Sequence, residues 1–373
     1  RRAIRTACNP HVVTISKLQY IRERTASADR RSRGFEHLYD PAVDENDGEP
    51  LRPCRKEPCA SMCTVLSRRA LVSLRVPAAV LAAVLVLPGP PAAAVDPSGP
   101  PGPVLSQLKD GTLYPSLFDT HDIVAYYGNP RSNRMGVLGE QPLPETARLI
   151  ERRAAEYAEL SRNDGRGVLP GFHLVYATVF PDGEFGRLPA AVVTEWIEYA
   201  LDRDLLVILD HQIGRHSVRR AIEQMLPYLR YPNVHLAIDP EWATDVPGQE
   251  VGGVHAEEVN TAQQMIQEYL IEHDLSGRRV LVVHQFHYRM IEDAHLVRSD
   301  FERVDVVHNM DGFGPPGLKL HTWNYLLQFD NLPLKGFKLF YPKSWRAGGF
   351  DKPLMTPAEV LNLTPRPVFI QYQ

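Results

Sequence analysis

Val234-His235-Leu236-Ala237-Ile238-Asp239-Pro240-Glu241 is an apolar run closing on two acids separated by a proline. Strand alternation puts His235, Ala237, Asp239 and Glu241 on one face and Leu236 and Ile238 on the other. Seven more segments share this design, apolar throughout with a polar or aromatic end. They are Ile123–Tyr127, Phe172–Ala177, Leu205–Asp210, Val280–Gln285, Val304–Asp311, Phe337–Tyr341 and Val368–Tyr372. Helical spacing fills the intervals at Pro144–Ser161, Ala190–Leu201, Val218–Leu229, Val259–Ile271, Ile291–Phe301, Leu318–Leu327 and Thr356–Leu363. In the last, Thr356, Pro357 and Glu359 form a capping box with proline at the first helical position. Strand alternating with helix predicts an α/β fold: a single (β/α)8 TIM-type barrel over residues 119–373, its last helix missing. An open doubly wound sheet uses the same alternation. However, no Gly-x-Gly-x-x-Gly loop follows an early strand, and eight units suit a closed ring. Leu105–Phe118 is expected to close the bottom of that ring.

Barrels of this kind carry their chemistry at the C-terminal ends of the strands. Asp210, Asp239, Glu241, His284 and Asp311 are therefore expected around one mouth. The α-carbons of Asp239 and Glu241 stand roughly 6–7 Å apart along a strand. Two acids that close resist ionising together, so one keeps its proton near neutral pH and can act as a general acid. Asp210 ends the third strand as the second carboxylate, a base or nucleophile, with Gln212 on its face; a structural role capping the next helix with Ser217 is the alternative. His284, Gln212 and Asp311 are expected to contact substrate. Lys338, inside an apolar strand, either snorkels or meets the site carboxylates. Tyr127, Trp242 and Trp345 are placed where aromatic faces stack on sugar rings. No cofactor is required by this set, although Asp210, Asp239, Glu241 and His284 could instead hold a divalent metal.

An Asp-x-Glu triplet ending the fourth strand of a barrel resembles the chitinase-like and lysozyme-like glycoside hydrolases. The resemblance covers Asp239-Pro240-Glu241 and the barrel pattern. It implies that Glu241 protonates a glycosidic oxygen while Asp239 orients an N-acetyl group of the substrate. The expected function is hydrolysis of a polysaccharide or oligosaccharide. A metal-dependent hydrolase or isomerase and a non-catalytic carbohydrate-binding barrel are the other readings.

The 373 residues divide by composition. Residues 1–61 lack hydrophobic periodicity and read as disordered or as an upstream extension of the reading frame. Residues 62–94 run from Arg68, Arg69 and Arg75 through the apolar stretch Val76–Leu87 to Ala92-Ala93-Ala94, the pattern of a cleaved signal peptide. Ser67-Arg68-Arg69 further resembles a twin-arginine signal. The apolar stretch is shorter than the roughly 20 residues a membrane span needs. Residues 95–118 form a Pro/Gly-rich linker and the barrel-closing segment. Cys8, Cys54, Cys59 and Cys63 all precede the cleavage site. Residues 1–94 carry 15 basic and 9 acidic side chains, whereas residues 95–373 carry 26 and 36. An acidic mature domain has no electrostatic reason to bind nucleic acid. A secreted or cell-envelope location is expected.

Overall fold

The computed structural model describes residues 115–161, 164–180, 185–343 and 349–373. The expected disordered segment, signal peptide and most of the linker lie outside these residues, as does Trp345.

Eight parallel strands form the core of the fold: β1 His121–Asn129, β2 Gly167–Val179, β3 Leu206–Gln212, β4 Val234–Asp239, β5 Arg279–Gln285, β6 Val304–Met310, β7 Lys335–Leu339 and β8 Phe369–Tyr372. Each pairs in parallel with the next. β8 then pairs with β1, matching Ile123 to Phe369 and Tyr126 to Tyr372, so the sheet closes on itself. The chain is a (β/α)8 barrel. All eight expected strands are present, most extending a residue or more beyond their apolar runs.

The alternation read from the fourth strand decides what lies on each side of the wall. Leu236 and Ile238 pack outward against the helices, while Ala237 joins Ile123, Ala125, Leu206, Ile208, Val282, Val307 and Phe369 inside the ring. Leu117 and Phe118 belong to the same inner cluster. Stacked apolar layers make the lower barrel a packed core, not a pore.

The helices are α1 Leu143–Leu160, α2 Ala190–Leu201, α3 Val218–Met225, α4 Ala256–Glu272, α5 Pro316–Leu326 and α6 Pro357–Leu361. The Thr356 capping box is formed, its side chain accepting from the Glu359 N–H. Two boundaries depart from expectation. α3 gives way at Leu226 to a 3-10 turn whose second residue is Pro227, which cannot continue an α-helix. Ile291–Phe301 is no α-helix. It holds a two-residue strand, Ile291–Glu292, paired with Val254–His255, then a single 3-10 turn. Asp293 between them is left-handed at φ 54°. Ile291, Ala294, Val297 and Phe301 are all buried, so a turn-rich segment satisfies the periodicity that suggested a helix. No helix among the described residues is long and apolar enough to cross a membrane.

Candidate functional site

The inward positions at the top of the strands carry a polar group on each of the eight: Tyr127 (β1), His173 (β2), Asp210 (β3), Asp239 (β4), His284 (β5), Asn309 (β6), Lys338 (β7) and Gln371 (β8). Each is at most 5% exposed. Closure of the ring is what brings them together. The side chains fall into three connected groups.

The first group is a carboxylate trio. Oxygens of Asp239, Glu241 and Asp311 all lie within 4.8 Å of one another. β4 ends at Asp239, not Glu241 as expected, because Pro240 opens a 3-10 turn through Trp242. That turn still swings Glu241 back to Asp239. It also sets the Trp242 indole N–H to donate to Asp239 Oδ2 at 3.0 Å. Oδ1 of Asp239 is buried without a hydrogen-bond partner. Burial raises the Asp239 carboxyl, and the neighbouring acids add to this against His284, pushing it up to about 7. With Oδ2 accepting from Trp242, Oδ1 is the oxygen left to hold the proton.

The second group is a fully buried trio of His173, Asp210 and His284. Asp210 Oδ2 lies 3.3 Å from His173 Nε2 and 3.4 Å from His284 Nε2. Burial works against ionising Asp210, but the two rings outweigh it and hold the carboxyl far below its ordinary range. Burial brings His173 down to about 4. Burial opposes the charge on His284 too, yet Asp210 and Asp311 lift it to about 9. Asp210 does not cap a helix. Ser217 caps α3 alone, accepting from Arg220.

The third group links these two. Lys338 Nζ stands 3.1 Å from Asp311 Oδ1 and 3.9 Å from the centre of the Tyr127 ring. Asp311 Oδ2 faces His284 Nδ1 at 3.4 Å. Lys338 does not snorkel; its ammonium meets a site carboxylate. Beneath runs an amide relay in which Asn309 spans His284 and Gln371, and Gln371 reaches His173. A Cβ at Gly336 would collide with Asn309 Oδ1, so β7 needs glycine there.

Other polar residues near the strand ends sit apart from this centre. Gln212 is buried and spends its Oε1 on the Val179 N–H at 2.9 Å, a structural bond between neighbouring strands. His308 faces out of the barrel, between Gln285 and Lys335. Between the loops after β3 and β4 lies a groove of about 240 Å³ bordered by Arg215, His216, Asp245 and Glu258.

His173, Asn309 and Gln371 escaped the sequence reading. Each is a polar residue inside a largely apolar strand, and a polar group buried there needs a partner. That was the available signal.

No family model matches the chain, and no curated protein matches it. Among solved structures it is similar to a chitinase from Chromobacterium violaceum, at 11% identity and TM-score 0.35, over 59% of this chain and 68% of that one. It is also similar to catalytic-site mutants of active domain 2 of a thermostable Pyrococcus furiosus chitinase complexed with chito-oligosaccharides. There the identity is 12% and the TM-score 0.39, over 70% of this chain and 85% of the other. Likeness of this degree assigns no activity.

Proposed function

We propose that the barrel is a glycoside hydrolase acting on a polysaccharide or oligosaccharide at the mouth formed by Asp239, Glu241 and Asp311. One observation carries this reading: three carboxylates within 4.8 Å, one of them raised to about 7. Such a cluster holds a proton and a negative charge side by side at neutral pH, the pairing that acid-assisted cleavage of an acetal needs.

Glu241 is half-buried and is the trio's member nearest the opening. It delivers the proton to the glycosidic oxygen, the C–O bond breaks toward that oxygen, and the anomeric carbon becomes electron-poor. Asp239, held up to about 7 by its burial and by the acids beside it, keeps a proton in the cluster. Asp311, oriented by Lys338, faces the developing positive charge. Asp210, expected as base or nucleophile, is fully buried and orients His284 in this scheme. Trp242 fixes the oxygen of Asp239 that stays unprotonated; a sugar platform was its expected role.

Reducing-end release from a panel of N-acetylated and plain glycans tests this. Turnover of at least one of them is expected, and complete inertness across the panel counts against the hydrolase reading. Discrimination between the two kinds reports whether Asp239 has an acetamide to orient.

A further inference from the structure

We propose that His173, Asp210 and His284 form a binding site for one divalent ion of the zinc class, below the carboxylate trio. The inference does not rest on the hydrolase reading.

Three observations on these side chains converge. The first is spacing. Ligands 2.0–2.1 Å from a tetrahedral ion stand about 3.3–3.4 Å from one another. Asp210 Oδ2 lies 3.3 and 3.4 Å from the two ring nitrogens. All three atoms fall within 4.8 Å of one another.

The second is that these contacts are not hydrogen bonds. His173 Nε2, His284 Nε2 and both oxygens of Asp210 are buried without a hydrogen-bond partner. Buried polar atoms aimed at a common point are costly unless something pairs with all of them.

The third is the relay behind the rings. Asp311 Oδ2, 3.4 Å from His284 Nδ1, calls for an N–H on that nitrogen. Asn309 turns its amide nitrogen to His284 Nδ1 and to Gln371 Oε1; with both amides flipped, Asn309 presents its carbonyl to His284 and to Gln371 instead. Gln371 in turn presents its own carbonyl to His173 Nδ1, 2.9 Å from its amide end. The nitrogen and oxygen of an amide are exchangeable by shape, so this orientation costs no movement. In that arrangement both rings can carry hydrogen on Nδ1 and turn Nε2 toward Asp210, where a bound cation would take the place of the proton that Asp210 and Asp311 otherwise hold on His284. A carboxylate or amide oxygen on the far nitrogen is the usual support for a metal-bound imidazole. Two imidazoles and one carboxylate suit zinc rather than magnesium or calcium, which prefer oxygen.

The test uses the full chain, stripped with chelator and titrated with Zn²⁺ and Co²⁺ by calorimetry and visible absorption. One ion per chain is expected, with the intense cobalt bands of low coordination number. His173→Gln should abolish stoichiometric binding and Glu241→Gln should leave it unchanged. Gln371→Leu, which keeps all three ligands, should weaken it 10–100-fold. Should His173→Gln not fold, Gln371→Leu and ¹⁵N-histidine spectra of the loaded wild type decide, the latter by showing both rings protonated on Nδ1. No stoichiometric ion in the wild type would overturn the proposal. So would binding that survives in folded His173→Gln but disappears in Glu241→Gln, which would move the ion to the carboxylate trio.

Discussion

Lys338 and Asp311 form an ion pair inside the barrel, the ammonium 3.1 Å from one carboxylate oxygen and 3.2 Å from the other. Both side chains are about 3% exposed, so neither charge has water to fall back on.

Lys338→Met should therefore cost about 3–5 kcal/mol, the usual penalty for taking one partner from a buried ion pair. Adding Asp311→Asn should recover much of that loss, because the stranded charge goes with it. Denaturant titration of the two variants checks this. Equal destabilisation in single and double variants would show that the pair is not coupled.

Asp239 gives stability a definite pH dependence. An unfolded Asp titrates near 3.9, whereas the native carboxyl is raised to about 7. The native state thus binds the proton more tightly, and its contribution is complete below pH ~4 and lost as pH climbs to about 7. Asp239→Asn carries no such charge. It should melt above the wild type at pH 8, by at most about 4 kcal/mol, with the advantage shrinking toward pH 4. A difference that is flat across pH would contradict the raised carboxyl.

Gly336→Ala should destabilise by about 1–3 kcal/mol, since the added methyl drives into Asn309 and strain spreads through the relay to both histidines. Gly317, at the start of α5, is the control. A Cβ there meets nothing within 4 Å, and alanine favours a helix by up to about 1 kcal/mol. Thermal melts that rank the two substitutions the other way would remove the steric account of β7.

The barrel was legible because its signal is local and repeated. Each strand is a short apolar run, and the outward set of Leu236 and Ile238 could be told from the inward set of Ala237 and Asp239 by period alone. Asp239, Glu241, Asp311 and Lys338 could be placed at the mouth for the same reason. The hydrogen bond from Trp242 and the exact turn at Pro240 could not, as they depend on how the strand ends. His173 and Gln371 sit 198 positions apart and meet only because β1 lies between β8 and β2. Nothing within either strand marks them as partners. The absent helix after β5 shows the reverse limit: buried residues at helical spacing do not require a helix when turns place them equally well.

The most direct test of the hydrolase account is glycan hydrolysis by wild type and Glu241→Gln at equal protein concentration, with circular dichroism confirming that both are folded. Loss of the acid should lower kcat by about 10²–10⁴-fold with little change in KM. Hydrolysis undiminished in the folded Gln variant would contradict the assignment of Glu241 as the proton donor, and with it the mechanism built on the carboxylate trio.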